Sequence, residues 1–126
     1  MPQQEHLINP MPNAPPQKLL FVCSRNRMRS LTAEKLFEGF PLYRVRSAGT
    51  QPEARIVVTE RHLGWADIIF CFEKSHLSRL RRKFPEAMRG KRVICLNIPD
   101  DYQCMEPALI DELRAALAPH VTLPAE

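Results

Sequence analysis

The chain alternates between short apolar runs and amphipathic stretches, and the period switches repeatedly from strand to helix. KLLFV at Lys18–Val22 is a continuous apolar run, as expected of a strand buried on both faces. A polar stretch follows, Cys23 to Arg29. From Ser30 to Phe40 the residues Leu31, Ala33, Leu36, Phe37 and Phe40 recur at helical spacing, with Gly39 near the helix end. Tyr43–Ser47 alternates apolar and polar like a strand with one wetter face, and Ala48–Pro52 reads as a turn. The pattern then predicts a helix over about Ala54–Trp65, despite the β-branched pair Val57 and Val58.

Ile68–Phe72 predicts a second buried strand. Lys74–Phe84 predicts a helix with Leu77, Leu80 and Phe84 inward, and Arg79, Arg81, Arg82 and Lys83 outward or at its end. Val93–Ile98 is the last strand. Pro107–Leu117 closes the chain with Leu109, Ile110, Leu113 and Leu117 on one stripe, and Pro107 suits a first helical turn. Strictly alternating elements call for a parallel sheet with helices on both faces. The fold class is therefore α/β, a three-layer αβα sandwich around a four-stranded parallel sheet of flavodoxin-like type. Ligands in such folds bind beyond the carboxyl ends of the strands, where the Cys23–Arg29 loop lies.

Composition narrows the picture. At 126 residues, with 44% hydrophobic positions, there is material for one core. A single domain is expected over residues 18–120, preceded by a disordered, proline-rich tail over 1–17. No apolar run approaches bilayer length, and the N-terminus has no apolar core of a secretory signal, so a cytoplasmic location without a membrane partner is expected. The net charge of +4 suits an anionic substrate without selecting one. The basic run Arg79–Lys83 has no interleaved aromatics, which argues against nucleic acid. Cys23, Cys71, Cys95 and Cys104 form no C-x-x-C pair, which argues against a zinc site or disulfide scaffold; no metal or cofactor is expected. Cys71 and Cys95 sit in apolar runs and read as small buried hydrophobes.

The candidate chemistry lies in Cys23, Ser24, Arg25, Asn26, Arg27, Met28, Arg29 and Ser30: a cysteine, five residues, an arginine and a serine. Spacing alone is weak; its place between a buried strand and a helix start gives it force. Backbone N–H groups at a helix N-terminus converge on an anion. A helix N-terminus and a nearby arginine also favour the thiolate form of Cys23. The planar fork of Arg29 matches two phosphate oxygens. Ser30 is placed to donate to the sulfur, and Asn26 tolerates the left-handed backbone of a tight loop. His76 reads as part of a solvated helix face, while Glu73 and Asp67 read as caps or ion-pair partners.

With KLLFVCSRNRMRS at 18–30, LTAE at 31–34, SAGT at 47–50, WADIIF at 65–70 and IPDDY at 98–102, the chain resembles the low molecular weight protein tyrosine phosphatase family. The resemblance implies hydrolysis of phosphate monoesters, chiefly phosphotyrosine in a protein or a small aryl phosphate, through a phosphocysteine and without metal. It places the general acid on Asp100, with Asp101 standing where the family has proline and competing for the role. Tyr102 becomes an aromatic wall, and Ser47 the residue that holds Asn26. Arg25 stands in place of the family's glycine, Met28 in place of a second loop cysteine, and Leu31 in place of proline. The segment 51–64 is shorter than usual, so part of the substrate-side wall is expected to be missing. Two other readings share the loop. An arsenate reductase needs relay cysteines; a non-catalytic phosphate-binding module needs neither nucleophile nor acid. The oligomeric state is not legible.

Overall fold

The computed structural model describes residues 15–125. Most of the expected tail, residues 1–14, lies outside the described residues. Gln17, expected in the tail, instead opens the first strand by pairing with Tyr43. The strands are β1 (Gln17–Cys23), β2 (Tyr43–Gly49), β3 (Ile68–Cys71) and β4 (Arg92–Cys95). The helices are α1 (Arg29–Leu36), α2 (Glu60–Trp65), α3 (Lys74–Lys83), α4 (Pro85–Met88) and α5 (Pro107–Leu117). All strand pairs are parallel, in the order β2-β1-β3-β4.

The side-chain alternation of β1 and β3 builds the two faces of the sandwich. Leu19, Phe21, Ile68 and Phe70 point to one side and pack with Ala33 and Phe37 from the α1 end and Leu109, Leu113 and Leu117 of α5. Phe21 stacks on Phe70 with centroids 4.9 Å apart. Leu20, Val22, Ile69 and Cys71 point the other way, onto Leu63 of α2, Leu80 of α3 and Met88 of α4. Both faces of the central strands are covered, which explains why these strands read as unbroken apolar runs. The order reverses between β1 and β3, so the switch-point crevice opens beside Cys23.

Three elements differ from expectation. The predicted helix over 54–65 survives only as Glu60–Trp65, capped by the Thr59 hydroxyl, which accepts from His62 N at 3.4 Å. The preceding backbone donors are used elsewhere. Thr50, Gln51 and Arg55 N–H groups donate to the carbonyls of Cys23, Ser24 and Arg25 at 2.9, 3.0 and 3.0 Å, and Val57 bridges to Gly49. Strand β2 runs on through Ala48 and Gly49 rather than turning at Ala48. Gly49 is required there, because a Cβ would lie 2.6 Å from the Ser24 carbonyl oxygen. Strand β4 stops at Cys95, since Asn97 adopts φ 56° and breaks the extended backbone. The short α4 carries no sequence signal beyond Pro85 at its first turn.

Candidate active site

The Cys23–Ser30 loop links the end of β1 to the start of α1 at the carboxyl edge of the sheet. No side chain caps α1, whose N-cap is Met28. Its leading N–H groups and dipole therefore face the loop interior, the arrangement that favours an anion. The Cys23 sulfur is buried and lies 2.9 Å from Ser30 Oγ, while the Asn26 N–H points at it from 3.3 Å. The sulfur thus sits between a backbone N–H and a hydroxyl at the floor of the loop. Asn26 takes φ 57°, the left-handed turn expected of it, and its Nδ2 donates to Ser30 Oγ at 2.8 Å.

Arg29 is the largest fully buried side chain among the described residues. Its Nη1 donates to Glu73 Oε2 at 2.6 Å and to the Ile98 carbonyl at 2.9 Å, and its guanidinium lies over the Phe72 ring. The hydrogen bond from Arg29 holds the Glu73 carboxyl below its usual range. Asp100 Oδ1 stands 3.8 Å from Arg29 Nε. With Nη1 committed, the Nε–Nη2 edge is the one left to face a planar or tetrahedral oxyanion.

A cavity of about 350 Å³ opens over the loop. Cys23, Arg25, Arg27, Met28 and Arg29 line one wall, and Asp100, Asp101, Tyr102 and Gln103 the other. The structure thus gathers the predicted nucleophile, arginine, both acid candidates and Tyr102 around one space. None of the lining residues comes from the short 51–64 segment. The side chains of Ser24, Asn26 and Ser30 do not line the cavity; they hold the loop from behind. Tyr102 Oη donates to Glu112 Oε1 at 3.3 Å, setting its ring as a wall.

Ser47 and His76 depart from expectation. Ser47 does not bond Asn26: its hydroxyl donates to the Glu34 carboxylate, and Asn26 Oδ1 has no protein partner among the described residues. That bond ties SAGT to LTAE, because a hydroxyl has one proton to give and Glu34 is the stronger acceptor. His76 is not on a solvated face. It is 1% exposed, receives the Phe72 and Glu73 N–H groups on Nδ1 at 3.3 and 3.1 Å, and sets Nε2 3.0 Å from Ser24 Oγ. The sequence signal for this is its position three residues after the N-cap Glu73, from which a side chain reaches back to the cap backbone. Glu73 forms the expected ion pair, with Arg29, whereas Asp67 is in neither a helix cap nor an ion pair among the described residues and its Oδ2 accepts from the backbone N–H of Lys18 at 2.8 Å.

Among the other cysteines, Cys71 is fully buried, and burial pushes its thiol up to about 12, so it stays protonated at neutral pH. Cys95, expected buried, is half-exposed on the edge strand and donates to Asn97 Oδ1 at 3.3 Å. Cys104 accepts from Thr32 Oγ1 at 3.7 Å. All four cysteines are free.

Solved structures share this architecture. Wzb from Vibrio vulnificus, solved with benzylphosphonate, is 26% identical with a TM-score of 0.63, covering 81% of this chain and 95% of its own. The tyrosine phosphatase Wzb from Escherichia coli K30, solved with phosphate, is 23% identical with a TM-score of 0.66, over 82% and 94%. The YwlE arginine phosphatase from Geobacillus stearothermophilus is 22% identical with a TM-score of 0.56, over 86% and 100%. No protein-family model and no curated protein sequence matches the chain. The fold is that of the low molecular weight protein tyrosine phosphatases, as the sequence motifs imply. No described helix is long and apolar enough to cross a membrane.

Proposed function

We propose that this chain is a single-domain, cysteine-dependent phosphatase that hydrolyses phosphate monoesters and most readily phosphotyrosine. The observation that carries the reading is the convergence of Cys23 Sγ, the uncapped N-terminus of α1 and the buried Arg29 guanidinium on one cavity that also holds two carboxylates. The Cys23 thiolate attacks phosphorus while the bond to the ester oxygen breaks, and Asp100 gives its proton to that oxygen. Backbone N–H groups of Ser24–Ser30 and the free edge of Arg29 carry the charge on the three non-bridging oxygens. In the second step Asp100, now a carboxylate, takes a proton from water as it attacks the phosphocysteine. The sulfur then leaves as a thiolate supported by the Ser30 hydroxyl. Asp100 is favoured over Asp101 because it stands beside the Arg29 guanidinium. Geometry decides between them before acidity does.

The ester group rests against Tyr102, and the exposed Arg25 and Arg27 favour phosphoproteins with acidic residues beside the phosphotyrosine. A cytoplasmic location belongs to this reading, since a free nucleophilic thiol persists in a reducing compartment. The test is turnover of p-nitrophenyl phosphate by the full chain. Activity that survives EDTA and is lost in Cys23→Ser is expected. A Cys23→Ser variant as fast as the parent overturns the reading.

A further inference from the structure

We propose that His76 is a positioning residue for the nucleophile loop, its neutral imidazole latching Ser24 to the first turn of α3 and so fixing the chain beside Cys23. The proposal rests on the reading of the loop as a phosphate cradle. Two backbone N–H groups, from Phe72 and Glu73, aim at His76 Nδ1. A nitrogen that receives two donors carries no proton of its own, so the proton of the neutral ring sits on Nε2. Nε2 lies 3.0 Å from Ser24 Oγ, and the bond therefore runs from the imidazole to the hydroxyl.

The latch completes a clamp. On the opposite side, the backbone of 50–55 grips the carbonyls of Cys23, Ser24 and Arg25, and Arg55 Nε donates to the Asn26 carbonyl at 3.1 Å. On the α3 side, Glu73 holds Arg29 at the loop's end and His76 holds Ser24 at its start. The first turn of α3 thus sets the separation between the loop's two ends, and with it the aim of the sulfur and the guanidinium.

The latch requires a neutral ring, and its surroundings keep it so. Burial lowers the His76 pKa to about 4, helped by Arg29 of α1 and Arg79 of α3 and opposed by Glu73 and by Asp100 from the β4–α5 connection. A second ring proton would be forced onto Nδ1, against the two N–H groups already there.

The test is a double-mutant cycle with His76→Asn and Ser24→Ala in the full chain. Asparagine places a carbonyl oxygen near the Nδ1 position, so the cap on Phe72 and Glu73 is kept while the latch is lost. Each single variant is expected to lose about tenfold in kcat/KM for p-nitrophenyl phosphate and in affinity for inorganic phosphate, the worth of one buried hydrogen bond. The double variant is expected to lose no more than either single. The ¹⁵N spectrum of the parent should show the Nε2–H tautomer at neutral pH. Losses that multiply to about a hundredfold, a His76→Asn variant with parental values, or an Nδ1–H tautomer overturn the proposal. If His76→Asn fails to fold, Ser24→Ala and the tautomer still decide. A parent that binds phosphate without hydrolysing it overturns the phosphatase reading alone, since the phosphate cycle still reads the latch. A parent that binds no phosphate overturns both.

Discussion

The two walls of the cavity are built in opposite ways. On the Cys23–Ser30 side, Asn26, Arg29 and Ser30 are buried, and each is tied to another element or to the nucleophile. On the facing side Asp100 is 62% exposed, and the contact that fixes it is an ion pair of 3.8 Å to Arg29 Nε. The first wall is set before any substrate arrives, so its dipoles need no reorganisation as charge develops. The second carries the proton group, which must serve ester oxygens of differing shape and later a water molecule. Rigid charge stabilisation opposite an exposed acid is the division of labour the fold provides.

That contrast can be broken at either wall. Cys23→Ser removes the sulfur at the floor and is expected to cost on the order of 10⁴ or more in kcat, measured by steady-state release of p-nitrophenol. Asp100→Asn is expected to cost about 10³, and more for alkyl than for nitrophenyl esters, because poor leaving groups depend most on the proton. Asp101→Asn should stay near the parent; if the two aspartates exchange these results, Asp101 is the acid.

The buried wall also carries a pH signature. His76 stays neutral in the folded chain down to about pH 4, whereas an unfolded histidine titrates at its ordinary 6.5. Between those values the unfolded chain binds the extra proton, so stability falls as pH drops, by about 3 kcal/mol over the window. Urea melts at pH 7 and pH 4 should show that slope in the parent and a shallower one in His76→Asn, where His62 and Glu73, both lowered, still contribute. The smallest effect belongs to the open rim. Arg25→Ala with Arg27→Ala should lower kcat/KM for acidic phosphotyrosyl peptides several-fold at low salt, with the gap closing at high salt. Equal loss at both salt levels would show a direct contact instead of a field.

The same contrast decides what was legible in the sequence. Strand β1 and helix α5 were read from local periodicity, because each buries a face that its own residues define. Cys23 and Arg29 stand out by spacing and by their place between strand and helix, whereas Asp100, Asp101 and Tyr102 are legible only through the family resemblance; all five meet in one cavity. Residues 54–59 read as helix, yet their neighbourhood is held by bonds to the loop's carbonyls, a tertiary demand that periodicity does not carry. His76 departs from its expected solvated face for the same reason. A polar residue on a basic helix looks solvated until a partner such as Ser24, far away in the chain, is brought to it. The resemblance directs Ser47 to Asn26, but its single proton goes to Glu34.

The most direct test is intact-mass analysis of the chain quenched during turnover of p-nitrophenyl phosphate in Asp100→Asn. Slowed hydrolysis of the intermediate should leave one phosphoryl group on the chain, mapped by peptide fragmentation to Cys23. Undiminished turnover with the phosphoryl group on another side chain, or with no adduct at any quench time, would contradict the account.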